Sequence, residues 1–192
     1  MKLFALLGAL FFSLNVLAAN WAEDFEALKS IPRSYEDAGA ICEEVARLDV
    51  QKQFPAPQFE VVVGIAYGDG TRTIGELDVV VFDHNSNRVV RIAEVKCWKS
   101  FSGGLNKARD QRGRFLKNLR SNKPLIFKST SSKQAYSPDA FEGVNDFITI
   151  GQLGAVAAGY DQELGYTLNE MHQHTGDMLR CQKAGLCAKP GK

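Results

Sequence analysis

Residues 72–100, RTIGELDVVVFDHNSNRVVRIAEVKCWKS, hold two apolar, strand-like runs joined by the turn-forming HNSN. Short valine-rich runs bounded by turn residues fold as an antiparallel pair of strands. Yet Glu76, Asp78, Glu94 and Lys96 lie inside them. Acids and lysine stay out of strand interiors unless they are paired or bind something. Side chains alternate across a strand, so Glu76 and Asp78 share one face of theirs. Glu94 and Lys96 share one face of the next, with Val95 turned away. An antiparallel register can set Asp78 beside Glu94. Two such carboxylates repel, and a divalent cation removes the repulsion. Mg²⁺ suits the place, because it takes one or two carboxylates, keeps several waters and accepts a substrate phosphate. Lys96 then lies where it can orient or deprotonate a water, or offset developing charge. The plainer alternative is a same-face ion pair of Glu94 with Lys96.

The surrounding chain supplies a frame for this hairpin. FEVVVGIAY ahead of it reads as a further strand, with GDG at 68–70 as the turn. SYEDAGAICEEVARLDV before that reads as a helix. Ser34 and Asp37 are spaced as a cap, and Ala38, Ile41, Cys42, Val45 and Leu48 form the apolar stripe. After the hairpin, Gly103 and Gly104 read as a break, and LNKARDQRGRFLKNLRS as a helix. PLIFKST and DFITIG follow as strands, and the tail from about Leu164 to Arg180 as a helix. Residues 19–33 read as a leader. The order predicts an α/β fold, a mixed central sheet flanked by helices.

GELDVVVFD followed by IAEVK resembles the PD-(D/E)XK nuclease superfamily, the fold of many restriction enzymes, Holliday-junction resolvases and recombination exonucleases. The likeness is to its resolvase-like branch, small bacterial proteins that carry GEID and then VEVK. It covers roughly residues 34–130 and implies a restriction-endonuclease-like αβββαβ core over about 34–150; the remainder, 151–192, lies outside the likeness and reads as a C-terminal helical extension. It implies Asp78 and Glu94 as ligands of Mg²⁺ or Mn²⁺, the Val95 carbonyl as a further ligand, and Lys96 as the catalytic lysine. The family often adds a glutamate from the first helix, three residues before an alanine. Glu43 with Ala46 fits that better than Glu44 does. Some members use a glutamine after the lysine strand, and Gln111 stands there. The chain departs from the family in looking exported and in having Glu76, not proline, ahead of the first acid.

Charge supports a polyanion partner. Residues 86–133 carry 13 Lys or Arg against Glu94 and Asp110 alone, although the whole chain has a formal charge of only +1. Lys107, Arg109, Arg112 and Arg114 on the predicted helix are the candidate phosphate contacts. DNA is favoured over RNA as the partner, and with no reading motif in the block, little sequence specificity is expected. Trp98 and Phe101 either stack on bases or pack. A catalytically inactive nucleic-acid or protein binding module on the same fold is the alternative function.

The first 20 residues, MKLFALLGALFFSLNVLAAN, read as a secretory signal cleaved after Ala18 or Ala19. A single domain then spans 19–192, with no further membrane span expected, in a secreted or periplasmic protein. Cys42, Cys97, Cys181 and Cys187 all lie in it, an even count that suggests two disulfides in an oxidising compartment. Three pairings are possible. If Cys181 joins Cys187, Cys42 is left for Cys97. No CxxC zinc pattern, GxSxG, P-loop or HExxH is present, and His172 and His174 read as surface residues.

Overall fold

The computed structural model describes residues 19–121 and 123–191, so the signal expected at 1–18 lies outside the described residues. Its helices are α1 Trp21–Leu28, α2 Ala40–Gln53, α3 Phe101–Leu119 and α4 Leu168–Lys183. Its strands are β1 Phe59–Gly68, β2 Thr73–Asp83, β3 Arg88–Lys96, β4 Ile126–Ser129, β5 Ala135–Tyr136, β6 Phe147–Gly151 and β7 Gln162–Glu163. They form one mixed seven-stranded sheet in the order β5-β4-β1-β2-β3-β6-β7. The first five in that order pair antiparallel, while β6 runs parallel to both β3 and β7. The chain is therefore α/β, and no helix among the described residues is long and apolar enough to cross a membrane.

Apolar side chains on both faces of the sheet hold the layers together. On one face Val61, Val63, Val79, Val81, Ala93 and Val95 pack with Leu28, Ile41, Val45, Met171 and Met178 of α1, α2 and α4. On the other, Ile65, Leu77, Val80 and Ile92 pack with Phe115 of α3 and with Phe127 and Phe141. Each fully buried side chain of this size contributes about 1.5–3 kcal/mol.

Several elements differ from the sequence reading. The leader holds a helix, α1, whose Trp21 and Phe25 pack on the first core. Helix α2 starts at Ala40, not Ser34. Gly39, with φ +90°, occupies its N-cap without a side-chain cap, and Ala38 is exposed. Gly103 and Gly104 lie inside α3 rather than before it. The Ser100 hydroxyl caps that helix by accepting from the Gly103 amide at 3.1 Å. A Cβ at Gly104 would stand 2.4 Å from the Tyr160 hydroxyl and 3.3 Å from Lys96 Cβ, so glycine lets the helix approach β3. Helix α4 begins with a capping box of Thr167 and Glu170.

Candidate active site

The hairpin opens at one end. The β2–β3 ladder runs to Val79 opposite Ala93, while β3 goes on pairing with β6 as far as Lys96 opposite Gly151. One step past the last β2–β3 pair, Asp78 faces Glu94. The Asp78 carboxylate does what the missing ladder would have done: its Oδ2 accepts from the Val95 amide at 2.8 Å.

The opposite neighbour of β2 is irregular at the same level. Gly64 and Asp78 are the pair missing from an otherwise continuous stretch of the β1–β2 ladder. Val63 and Ile65 flank Gly64, and Leu77 and Val79 flank Asp78. Regular strands put each such pair on one face. Here Val63 and Val79 enter one core, and Ile65 and Leu77 the other. Gly64 has φ +71°, a conformation open to glycine, and a side chain there would strike Thr130 and Glu76.

Lys96 sits among the oxygens. Its Nζ donates to Asp78 Oδ2 at 2.5 Å and to the Val95 carbonyl at 3.0 Å, and lies 3.6 Å from Glu94 Oε2. Burial pulls the ammonium's pKa down, but the charges of Asp78 and Glu94 outweigh it and leave it above the usual lysine value. Asp78, Glu94 and Lys96 are 6%, 3% and 9% exposed. Neither oxygen of Glu94 has a hydrogen-bond partner among the described residues. Burial, then the neighbouring Asp78 charge, hold the Glu94 carboxyl well above its ordinary value.

Helix α2 brings Glu43 to the same field. Burial first, and Asp78 next, push its carboxyl up to about 7, and Glu76 adds to the rise. Arg33 opposes this, its Nη2 donating to Glu43 Oε2 at 2.5 Å. Glu44 turns elsewhere, pairing with Arg47 at 2.8 Å. Four carboxylates (Glu43, Glu76, Asp78 and Glu94) thus share the field of Arg33 and Lys96. Arg33 escaped the sequence reading, since it follows Pro32 in a stretch without periodicity. Gln111 is half-buried on α3, and its Oε1 is buried without a partner.

Lys107, Arg109, Arg112 and Arg114 of α3 are exposed, and they have different neighbours. Arg109 and Arg112 line a cavity of about 140 Å³ with Glu94, Thr149 and Asp161. Arg114 lies beside the Tyr67 hydroxyl. Lys107 is exposed one turn along α3 from Gly103. A disulfide joins Cys42, next to Glu43, to Cys97, next to Lys96, and a second joins Cys181 to Cys187. Of the open pairings, this one ties α2 to the end of β3. Phe101 packs with Leu105 and Tyr160, whereas Trp98 is exposed. His172 is exposed as expected. His174 is buried instead, stacked on Trp21 at 3.8 Å between ring centroids.

Among the described residues no three His, Cys, Asp or Glu side chains converge as a metal cage. Mg²⁺ or Mn²⁺ asks for fewer, since one or two carboxylates, a carbonyl and waters suffice. The donors here are all oxygen, two of them orphaned on Glu94, and they fit such an ion. Comparison with family models, with curated proteins and with solved structures found no match.

Proposed function

We propose that the chain is a metal-dependent nuclease of the PD-(D/E)XK type that hydrolyses phosphodiester bonds, in DNA rather than RNA, with little sequence specificity. The observation that carries this is the buried Glu94 carboxylate, without a partner on either oxygen, facing Asp78 with the Lys96 ammonium between them. Lys96 at 3.6 Å is a partner in charge but not in hydrogen bonding, so an ionised Glu94 here costs stability unless a cation meets its free oxygens. The order of α2, β1–β3, α3 and β4 agrees with the αβββαβ core that the resemblance implies. The two disulfides are consistent with an extracellular or periplasmic protein.

Asp78 and Glu94 would hold Mg²⁺ or Mn²⁺, with the Val95 carbonyl as a further ligand. Bound there, the ion supplies charge for the phosphate oxygens and acidifies a water. The chain's own part is positional. Lys96, a triple donor, orients the attacking water and a non-bridging phosphate oxygen. The water oxygen bonds to phosphorus and gives up a proton to solvent, the bond to the leaving oxygen breaks, and that oxygen takes up a proton from solvent. Glu43, held by Arg33, and Gln111 border the reacting group. Arg109 and Arg112 hold the flanking phosphates at the mouth of the Glu94 cavity.

The test is incubation of the oxidised mature protein with supercoiled plasmid, with Mg²⁺ or Mn²⁺, with EDTA, and with Glu94→Ala in parallel. Nicking that needs the metal and vanishes in the variant is expected. No cleavage of plasmid, linear duplex, single strands or RNA with either metal would refute the enzyme and leave a binding module.

A further inference from the structure

We infer that Trp98 is a stacking platform for an unpaired nucleobase, and that the site takes single-stranded or frayed nucleic acid, including the unpaired stretches that supercoiling opens in a plasmid. The inference rests on the nuclease reading and names its substrate class. Trp98 lies two residues beyond Lys96 and is 44% exposed. It is the one large aromatic side chain so exposed among the described residues. An exposed leucine needs no explanation, but indole is the side chain that gains most from burial.

The ring is exposed without being loose. Gln152, itself buried, grips the Trp98 backbone from both sides. Its Oε1 accepts from the Trp98 amide at 3.1 Å, and its Nε2 donates to the Trp98 carbonyl at 2.7 Å. A buried amide fork spent on the backbone of a solvent-facing residue fixes the point from which that side chain projects.

It stands beside the site. The Cβ atoms of Lys96 and Trp98 each lie 3.3 Å from where a Cβ on Gly104 would be, and Trp98 Cε3 lies 3.8 Å from that of Gly103. The indole therefore covers the first turn of α3 next to the lysine. Lys107 follows Gly103 by four residues and Gln111 by eight, so a cation continues the row one turn along. Lys99 is exposed next in the chain. An aromatic face with cations at its edge is the pairing that binds single strands, bases on the ring and phosphates on the charges. In a duplex both faces of each base are already covered by its neighbours. The near-complete burial of Asp78, Glu94 and Lys96 agrees, since a thin strand reaches them more readily than a double helix.

The test uses the intact oxidised protein in EDTA, so that binding is read without cleavage. Emission is followed with a short oligothymidylate, with an abasic strand of the same length, and with a blunt duplex. The protein has two tryptophans, and Trp21 is half-buried against His174, so the quenching that Trp98→Leu removes is the part that reports Trp98. We expect saturable quenching by oligothymidylate alone. Trp98→Leu abolishes it and weakens binding of a labelled oligothymidylate roughly 5- to 150-fold. With metal present, the same variant raises KM on single strands and leaves kcat within a few-fold. Equal quenching by the abasic strand, or unchanged affinity in Trp98→Leu of unaltered Tm, overturns the inference while cleavage leaves the nuclease reading standing. Quenching by bases without cleavage under either metal leaves the platform and removes the nuclease.

Discussion

Two clusters of buried polar side chains lie on this fold, and they are built in opposite ways. Between α1 and α4 the phenol and indole donors reach carboxylates, while the two ring nitrogens of His174 alone lack a hydrogen-bond partner among the described residues of that cluster. The Tyr166 hydroxyl donates to Asp24 at 2.7 Å, Trp21 Nε1 donates to Asp177 at 2.9 Å, and Trp21 stacks on His174. That cluster pins the first helix to the last. At the open end of β2 and β3, carboxylates crowd around Lys96, and Glu94, 3.6 Å from that ammonium, has no hydrogen-bond partner among the described residues. The first arrangement adds to stability. The second subtracts from it, because an unmet buried polar group costs about 1–3 kcal/mol and a charged one more. A cluster that costs stability and is nonetheless held by Gly64, Gly104 and a disulfide is where binding energy is expected to be recovered.

Substitution separates the two clusters most sharply. Glu94→Gln is expected to lower cleavage by roughly 10²-fold or more, because several kcal/mol of metal-derived stabilisation goes with the charge. Its Tm stays level or rises as the carboxylate crowding is relieved. Tyr166→Phe does the reverse: it strands Asp24, costs about 1–3 kcal/mol, and leaves cleavage per folded molecule unchanged. Plasmid nicking and calorimetric melting check both. A Tm drop in Glu94→Gln as large as in Tyr166→Phe would erase the contrast.

The two disulfides give the next largest difference. Cys42–Cys97 spans 55 residues and Cys181–Cys187 spans 6. Loop-closure entropy then assigns about 4 and about 2 kcal/mol. Replacing Cys42 and Cys97 by serine is expected to reduce cleavage as well, since both flank site residues, even at temperatures where the protein stays folded. Replacing Cys181 and Cys187 lowers only Tm. Equal cleavage by both double variants would sever the first bond from the site.

The smallest effect is pH-dependent. Burial lowers the His174 pKa, against the opposing charges of Asp177, Glu170 and Asp24. A lowered folded value means that stability is complete above the unfolded value near 6.5 and is lost as pH falls through the folded value. Melting between pH 8 and 5 should therefore show a decline on acidification that His174→Phe reduces. A profile unchanged by His174→Phe would remove that residue from the pH dependence.

The hairpin was legible because its signals are local. Valine runs and the HNSN turn marked the strands and the pairing that leads Asp78 to Glu94, but the two-residue period assumed for Glu76 and Asp78 breaks there, since Leu77 and Val79 enter opposite cores. Even cysteine usage fitted two bonds, though not which ones. What escaped depends on distant partners. Glycine inside a helix costs about 1 kcal/mol, so Gly103–Gly104 reads as a break until Tyr160 and Lys96 are seen pressed against it. Helix α1 has eight residues and is held by α4, which its own sequence does not announce. His174 looks like surface until Trp21 covers it. Arg33 reaches Glu43 from an irregular loop, and the strand after α3 joins β1 while a later strand takes the place beside β3.

The central claim is that this crowded end of the hairpin binds a divalent cation. Titration calorimetry with Mn²⁺ on the wild-type protein, Asp78→Ala and Glu94→Ala addresses it without relying on turnover. Groups that merely support a metal's ligands are worth roughly 10- to 100-fold in affinity, so loss of a ligand should cost at least that. The account predicts saturable binding in the wild type that either substitution weakens beyond that range. Mn²⁺ binding that is absent, or present and indifferent to both substitutions, would contradict it.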